Sequence, residues 1–415
     1  MHHLLRAHRG LGAPRALLLL IGLAMSLAYT LGVLAPSAAR ADGPGVGSPW
    51  AVSVGDSYIS GEAGRWAGNT NNSSSQIDAG GSTAYFDNAG NTAETIPGCH
   101  RSHAAEVNFG GGVSGKNLAC SGAKTSTFTD SSGNFKPGLD FYSSGGNQGQ
   151  ALQLQNYAAT HNVKLIAVSI GGNNFNFASI VQTCITDWLT SPSWWPNYCN
   201  DDSSVTSNFT SGNVSTQTTA IKNALLNIAQ AMTNAGYSSS QYTIAVQDYP
   251  SPIPNGSGFR YSESGFTRQT TGGCGFWNND ANFANSSMLP TIDGAVFNAA
   301  TASGLTNIKT LDLAGAFNGR RLCENTVGLL EEKGLTSWTQ AGAVDNTEWI
   351  NQIRTVSAIF PPYQLQEDLH PNYWAQLALR NCLSQVYNAG TPHSGACTIS
   401  GTGLNGSGYP NMLLH

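Results

Sequence analysis

The chain alternates short, continuously apolar runs with longer segments whose apolar residues recur every three or four positions. Leu165-Ile166-Ala167-Val168 and Ile244-Ala245-Val246 have no polar face, as expected of parallel strands buried on both sides. With their neighbours they predict five strands: Pro49 to Val54, Lys116 to Ala119, Lys164 to Ile170, Tyr242 to Gln247 and Ile308 to Leu313. Helical spacing fills the intervals. Thr216 to Ala235 carries Ile221, Leu225, Ile228 and Met232 on one face and stops at Gly236. Gln150 to Thr160 and Asn279 to Ser303 read as helices, and Pro371 suits the first turn of a helix through Trp374, Leu377 and Leu383. Strands alternating with helices predict an α/β protein with a doubly wound, mostly parallel five-stranded sheet. Its site is expected at the C-terminal ends of the strands.

The connections are long. Gly64 to Thr95 is rich in Gly, Asn, Ser and Thr; Thr183 to Val214 holds Trp188, Trp194 and Trp195 among prolines; Tyr249 to Phe276 is aromatic and Gly-rich. Loops of this length are usually functional or disordered. Residues 42–48 read as a flexible leader and 49–390 as one domain. Residues 391–415 read as a polar tail tethered by Cys397, with no catalytic role.

Charged residues make up only 10 % of the 415-residue chain, against about 25 % in an average soluble protein. The net charge is -5 and the few Lys and Arg are unclustered, which argues against a nucleic-acid partner. Residues 1–41 read as an export signal. Arg6, Arg9 and Arg15 precede the apolar run Ala16 to Ala35, and Ala39-Arg40-Ala41 offers a cleavage site before Asp42. An uncleaved anchor is the alternative, since the run is about as long as a membrane span. After removal of the signal no membrane span is expected, and no self-association stripe is visible, so a secreted monomer is expected. Eight cysteines agree with an oxidising destination but leave connectivity open. The shortest loops join Cys99 to Cys120, Cys184 to Cys199, Cys274 to Cys323 and Cys382 to Cys397. A metal site at Cys99-His100 and His103 is the rival reading, although the spacing lacks the paired pattern of zinc ligands.

Four segments place reactive residue types at element ends. Gly55-Asp56-Ser57 follows the first strand, where a sharp turn can present a serine beside backbone N–H groups; an ordinary turn serine is the plain alternative. Asn117-Leu118-Ala119-Cys120-Ser121-Gly122 and Ser169-Ile170-Gly171-Gly172-Asn173 end two further strands in glycines. Gly122 allows a close approach to its N–H, and Asn173 offers a side-chain amide to an oxyanion. Either segment also reads as a plain turn. Glu367-Asp368-Leu369-His370-Pro371-Asn372 sets a histidine beside carboxylates just before a helix.

Together these blocks resemble the GDSL or SGNH hydrolase family, closest to its secreted actinobacterial lipase and esterase branch. The resemblance rests on Gly55-Asp56-Ser57, Gly122, Asn173 and His370 in family order, and on Ser57-Tyr58-Ile59-Ser60-Gly61-Glu62 and Leu369-His370-Pro371-Asn372. It implies a three-layer, flavodoxin-like fold with long disulfide-closed loops. It also implies Ser57 as nucleophile, His370 as base, an oxyanion hole of Ser57, Gly122 and Asn173, and no metal or organic cofactor. The family usually has Asp three residues before the histidine. Here Glu367 holds that place and is the expected third member. Asp368, or a backbone carbonyl as in part of that branch, is the alternative.

The expected substrates are carboxylic esters of lipids or small molecules. Phe175 and the Trp-rich segment Thr183 to Tyr198 follow the Asn173 block and are expected to border the site. There they can grip an acyl chain, stack on sugar rings or pack a closed loop. Removal of O-acetyl groups from polysaccharide is the second reading, and a non-catalytic lipid- or glycan-binding protein the third.

Overall fold

Each apolar run predicted as a strand is one. In the computed structural model, which describes residues 43–354 and 365–415, β1 is Pro49–Gly55, β2 Ser114–Asn117, β3 Asn162–Ser169, β4 Thr243–Gln247 and β5 Ile308–Asp312. The expected signal peptide 1–41 and Asp42 lie outside the described residues. The sheet has seven strands, not the five expected. β6 (Gly395–Leu404) and β7 (Pro410–Leu414) extend it in the order β7-β6-β5-β4-β3-β1-β2. All neighbours pair in parallel except β6 and β7, which are antiparallel.

Residues 391–415, expected as a polar tail tethered by Cys397, are therefore mostly sheet. β6 touches β5 only through Gly395 and Ala396 and is largely solvent-facing, so it needs no apolar run. The signal for the pair is the Asn405-Gly406 turn, where the Asn405 side chain accepts the Ser407 and Tyr409 N–H groups. The Cys382–Cys397 disulfide anchors β6 to the preceding helix.

The helices follow their patterns. α1 is the single turn Ser57–Ser60, α2 Gln150–Ala158, α3 Phe177–Thr190, α4 Ser211–Asn234, α5 Leu289–Ala302 and α6 Tyr373–Tyr387. α4 buries Ile221, Leu225, Ile228 and Met232 and ends on Gly236 at φ +97°, with Tyr237 N–H reaching back to the Met232 carbonyl at 2.9 Å. α6 starts two residues after Pro371. Asn372 caps it, accepting the Trp374 and Ala375 N–H groups. α2, α4 and α5 pack side by side, while α6 lies against β5 and β7.

α3 was expected to be largely loop. Phe177, Ile180, Val181, Cys184, Ile185, Trp188 and Leu189 recur at helical spacing, and that periodicity outweighs the low helix propensity of its threonines. Thr183, Thr186 and Thr190 each turn the hydroxyl onto the carbonyl four residues back. All four expected disulfides form: Cys99–Cys120, Cys184–Cys199, Cys274–Cys323 and Cys382–Cys397. Cys99 is thus bonded to Cys120 rather than offered to a metal.

The first five strands run in the order 2-1-3-4-5. That order reverses between β1 and β3 and opens a crevice at their C-terminal ends. Ser57 and Asn173 follow the two strands that flank it, and Gly122 follows β2, the neighbour of β1.

Candidate active site

Gly55 creates the turn that presents Ser57. Its φ is +138°, and a Cβ there would lie 1.9 Å from the Ser169 carbonyl oxygen, so only glycine fits. Both polar groups of the Gly55 backbone are held by one buried side chain. Gln150 accepts the Gly55 N–H at 2.7 Å and donates to the Gly55 carbonyl at 2.9 Å. Asp56 N–H donates to Ser169 O, tying the turn to the end of β3. The Asp56 carboxylate caps α1 by accepting the Tyr58 N–H at 3.2 Å and accepts the Tyr249 hydroxyl. Burial pushes Asp56 up to about 7 against those two donors. Tyr249 in turn accepts the Gly172 N–H at 3.0 Å, so the Ser57 turn and the Asn173 turn share one buried network.

Ser57 Oγ lies 2.7 Å from His370 Nε2, and His370 Nδ1 lies 2.9 Å from the Asp368 carbonyl oxygen. The hydroxyl, the imidazole and a main-chain carbonyl are in line. The carbonyl is an acceptor only, so Nδ1 carries the ring proton and Nε2 is left to accept from Ser57. Leu369 makes this possible by adopting φ +59°, a conformation that costs a non-glycine residue about 1–3 kcal/mol. The surroundings hold it there. Leu369 N–H donates to Asn351 O, Asn351 N–H to His370 O, and the Tyr58 hydroxyl to Leu369 O. Burial pushes the His370 pKa below 6.5; the Glu62 charge and the Asp368 carbonyl act in the opposite direction.

Glu367 is not the group on the ring. Its carboxylate accepts the Trp66 indole N–H at 2.9 Å and the Tyr85 hydroxyl, donors from the long 64–95 connection. The Asp368 carboxylate faces away as well, accepting the Arg354 N–H at 3.0 Å, and burial raises it to about 7. Of the alternatives open in the sequence, the geometry has the main-chain carbonyl. Glu367→Gln keeps the volume and an acceptor oxygen for the Trp66 N–H, while its NH2 can donate to the Tyr85 hydroxyl, so it is expected to lower kcat less than about tenfold. A loss near that of a triad carboxylate, about 10⁴-fold, would return Glu367 to the role of orienting group.

Gly122 and Asn173 meet at Ser57. Gly122 has φ +78° and follows the Cys99–Cys120 disulfide; Cys120 N–H donates to Gly55 O and Ser121 N–H to Cys99 O. Asn173 Nδ2 donates to Ala123 O at 3.0 Å, which fixes the amide and leaves its second N–H for a ligand. Asn174 locks the same two turns together through Thr125. Ser57, Gly122, Asn173 and His370 all line one cavity of about 550 Å³, within the range of small-molecule sites.

Against known proteins the likeness is faint. The chain matches no protein-family model and no curated protein. Among solved structures, the crystal structure of an extracellular lipase from Streptomyces rimosus aligns at 16 % identity with a TM-score of 0.41, over 82 % of this chain and 99 % of that one.

The walls of the cavity differ from the sequence expectation. None of the three tryptophans of the 183–214 segment lines it. Trp188 is buried against Phe266 and Trp277, while Trp194 and Trp195 stand on the surface. Phe175 is buried and stacks on Phe209. The lining comes instead from the aliphatic side of α3 and from Leu369.

A second buried polar group adjoins the site. Glu62, fully buried, accepts from Gln366 Nε2 at 3.1 Å and pairs with His100 Nδ1 at 2.7 Å. Burial lowers the His100 pKa, but Glu62 and Glu94 outweigh it and the net shift is upward. The His100 ring stacks on Tyr85, so the pair is braced from the same connection that holds Glu367. Gln150 and Tyr249 carried no role in the sequence reading, and Glu62 and His100 were named there only within the Ser57-to-Glu62 block and in the rival metal reading, not as a pair. Nothing local marks them, because each acts across a long separation in the chain.

Proposed function

We propose that the protein hydrolyses carboxylic esters through an acyl-enzyme on Ser57. The observation that carries this reading is the line Ser57 Oγ, His370, Asp368 O, ending at a cavity that Gly122 and Asn173 also border. Ser57 Oγ attacks the ester carbonyl carbon while its proton passes to His370 Nε2. The Ser57 and Gly122 N–H groups and the Asn173 amide hold the oxyanion. The imidazolium then gives its proton to the leaving alcohol as the C–O bond breaks. Water repeats the sequence on the acyl-enzyme and releases the acid. Each oxyanion donor is worth about 2.7–4 kcal/mol of transition-state stabilisation.

A carbonyl in place of a carboxylate sets the ring tautomer but adds no full charge to steady the imidazolium. The buried Glu62 supplies charge from further away. Catalysis needs neutral His370, and its pKa lies below the ordinary 6.5. Hence kcat/KM should rise with pH through a midpoint below 6.5 and be level by neutrality. A midpoint above 6.5 in the pH profile would contradict this account of the base.

Four disulfides support secretion, and among the described residues no helix is long and apolar enough to cross a membrane. A second reading, removal of O-acetyl groups from polysaccharide, is favoured by Trp194 and Trp195. The two residues are 79 % and 73 % exposed, as a sugar-stacking surface would be. Hydrolysis of p-nitrophenyl esters of two to sixteen acyl carbons tests both. Turnover across the series supports the general esterase, turnover of acetate alone supports the deacetylase, and none at all rejects ester hydrolysis.

A further inference from the structure

Two apolar rows run along α3. Ile180, Cys184 and Trp188 face the interior and, with Ile185, are buried in the core. Phe177, Val181, Ile185 and Leu189, each four residues after the last, form a second ridge, and all four line the cavity that holds Ser57. Gln182 and Thr186 are the polar residues of that wall. Thr186 turns its hydroxyl onto Gln182 O at 2.8 Å, leaving its methyl to face outward. Leu369 and Ile353 contribute further apolar lining.

The ridge has a direction and a length. It begins four residues after Asn173, beside the oxyanion donors, and ends at the half-exposed Leu189. At the rise of an α-helix it extends about 18 Å, the reach of roughly twelve to fourteen extended methylenes. The leaving alcohol must stand next to His370 Nε2 to receive its proton, so the acyl substituent is the part that points away from His370, towards Asn173 and α3.

Resting on the ester-hydrolase reading above, we infer that the Phe177–Val181–Ile185–Leu189 ridge of α3 is an acyl-chain ruler, which makes medium- and long-chain fatty acyl esters the preferred substrates. Val181 stands about 6 Å along the ridge, Ile185 about 12 Å and Leu189 about 18 Å. Each methylene that enters the groove should raise kcat/KM about three- to fourfold, until the chain passes Leu189.

The test measures kcat/KM for p-nitrophenyl esters from acetate to palmitate with the full chain and with Val181→Trp and Thr186→Trp. Val181 is half-buried, so Thr186→Trp, at an exposed position on the same wall, guards against a folding failure. In the wild type kcat/KM should climb to laurate or myristate and then level. Val181→Trp should lower the laurate-to-acetate ratio at least tenfold and move the optimum to about four to six carbons. Thr186→Trp should lower the same ratio at least threefold. Methyl laurate and dodecyl acetate, compared in parallel, separate the two ends of the ester: the variants should slow the first more than the second. An enzyme that turns over acetate through Ser57 while neither variant moves the ratio overturns the ruler and leaves the hydrolase standing. Loss confined to dodecyl acetate overturns the acyl assignment. A protein inert to the whole series fails the hydrolase reading and the ruler with it.

Discussion

Ser57→Ala is expected to lower kcat for ester hydrolysis at least about a thousandfold and to leave the thermal midpoint nearly unchanged. Only the Oγ is removed. Its described partner is the His370 ring, which keeps its bond to the Asp368 carbonyl. The turn that holds the residue rests on Gly55, Gln150, Asp56 and Ser169, none of which touches the hydroxyl in the described structure. His370→Ala should cost a similar factor. The double variant should be no worse than either single one, because a nucleophile and its base act as a unit and the second loss would remove nothing still in use. The residual rate would come from the Gly122 and Asn173 donors and from substrate binding. Steady-state kinetics on the three variants checks this. Additive losses would mean that serine and histidine work in separate steps.

Gly55→Ala is expected to be the most damaging substitution outside the reacting groups. The new methyl would sit 1.9 Å from Ser169 O and 2.8 Å from its carbonyl carbon, both main-chain atoms that cannot swing aside. Relief requires β1 and β3 to separate where Asp56 N–H meets Ser169 O, and the φ of +138° must be abandoned as well. Overpacking and backbone strain together amount to about 3 kcal/mol or more. The variant should show that loss as a lower denaturation midpoint. It should also lose about 100-fold or more in kcat in the surviving fold, since a displacement near 1 Å at the reacting atom is enough for that. A variant with native stability and activity would show that the turn does not depend on this close approach.

The parts of the fold legible in the sequence are those where local pattern and tertiary demand coincide. β3 and β4 lie inside a parallel sheet, so their runs are apolar throughout and unmistakable. β6 and β7 lie at an edge, where one face meets water and the pairing is set by an Asn-Gly turn, so composition alone reads as a tail. α3 was hidden by its threonines, poor helix formers whose hydroxyls are satisfied by bonding back within the helix. The positions of Ser57, Gly122, Asn173 and His370 were readable because each sits at an element end that needs a glycine or a cap. The partner of His370 Nδ1 was not. It is a carbonyl, which every residue possesses, and it faces the ring only because Leu369 takes a left-handed conformation. The two carboxylates that drew attention, Glu367 and Asp368, are spent on Trp66, Tyr85 and the Arg354 N–H.

The central claim is that Ser57 is a nucleophile activated by His370. Treatment of the protein with a fluorophosphonate, followed by peptide mass spectrometry, tests it most directly. The account predicts one adduct, on Ser57, formed in step with loss of ester hydrolysis and strongly slowed in His370→Ala. An unmodified Ser57 under conditions that label an ordinary serine esterase, or an adduct on another residue that abolishes activity, would contradict it.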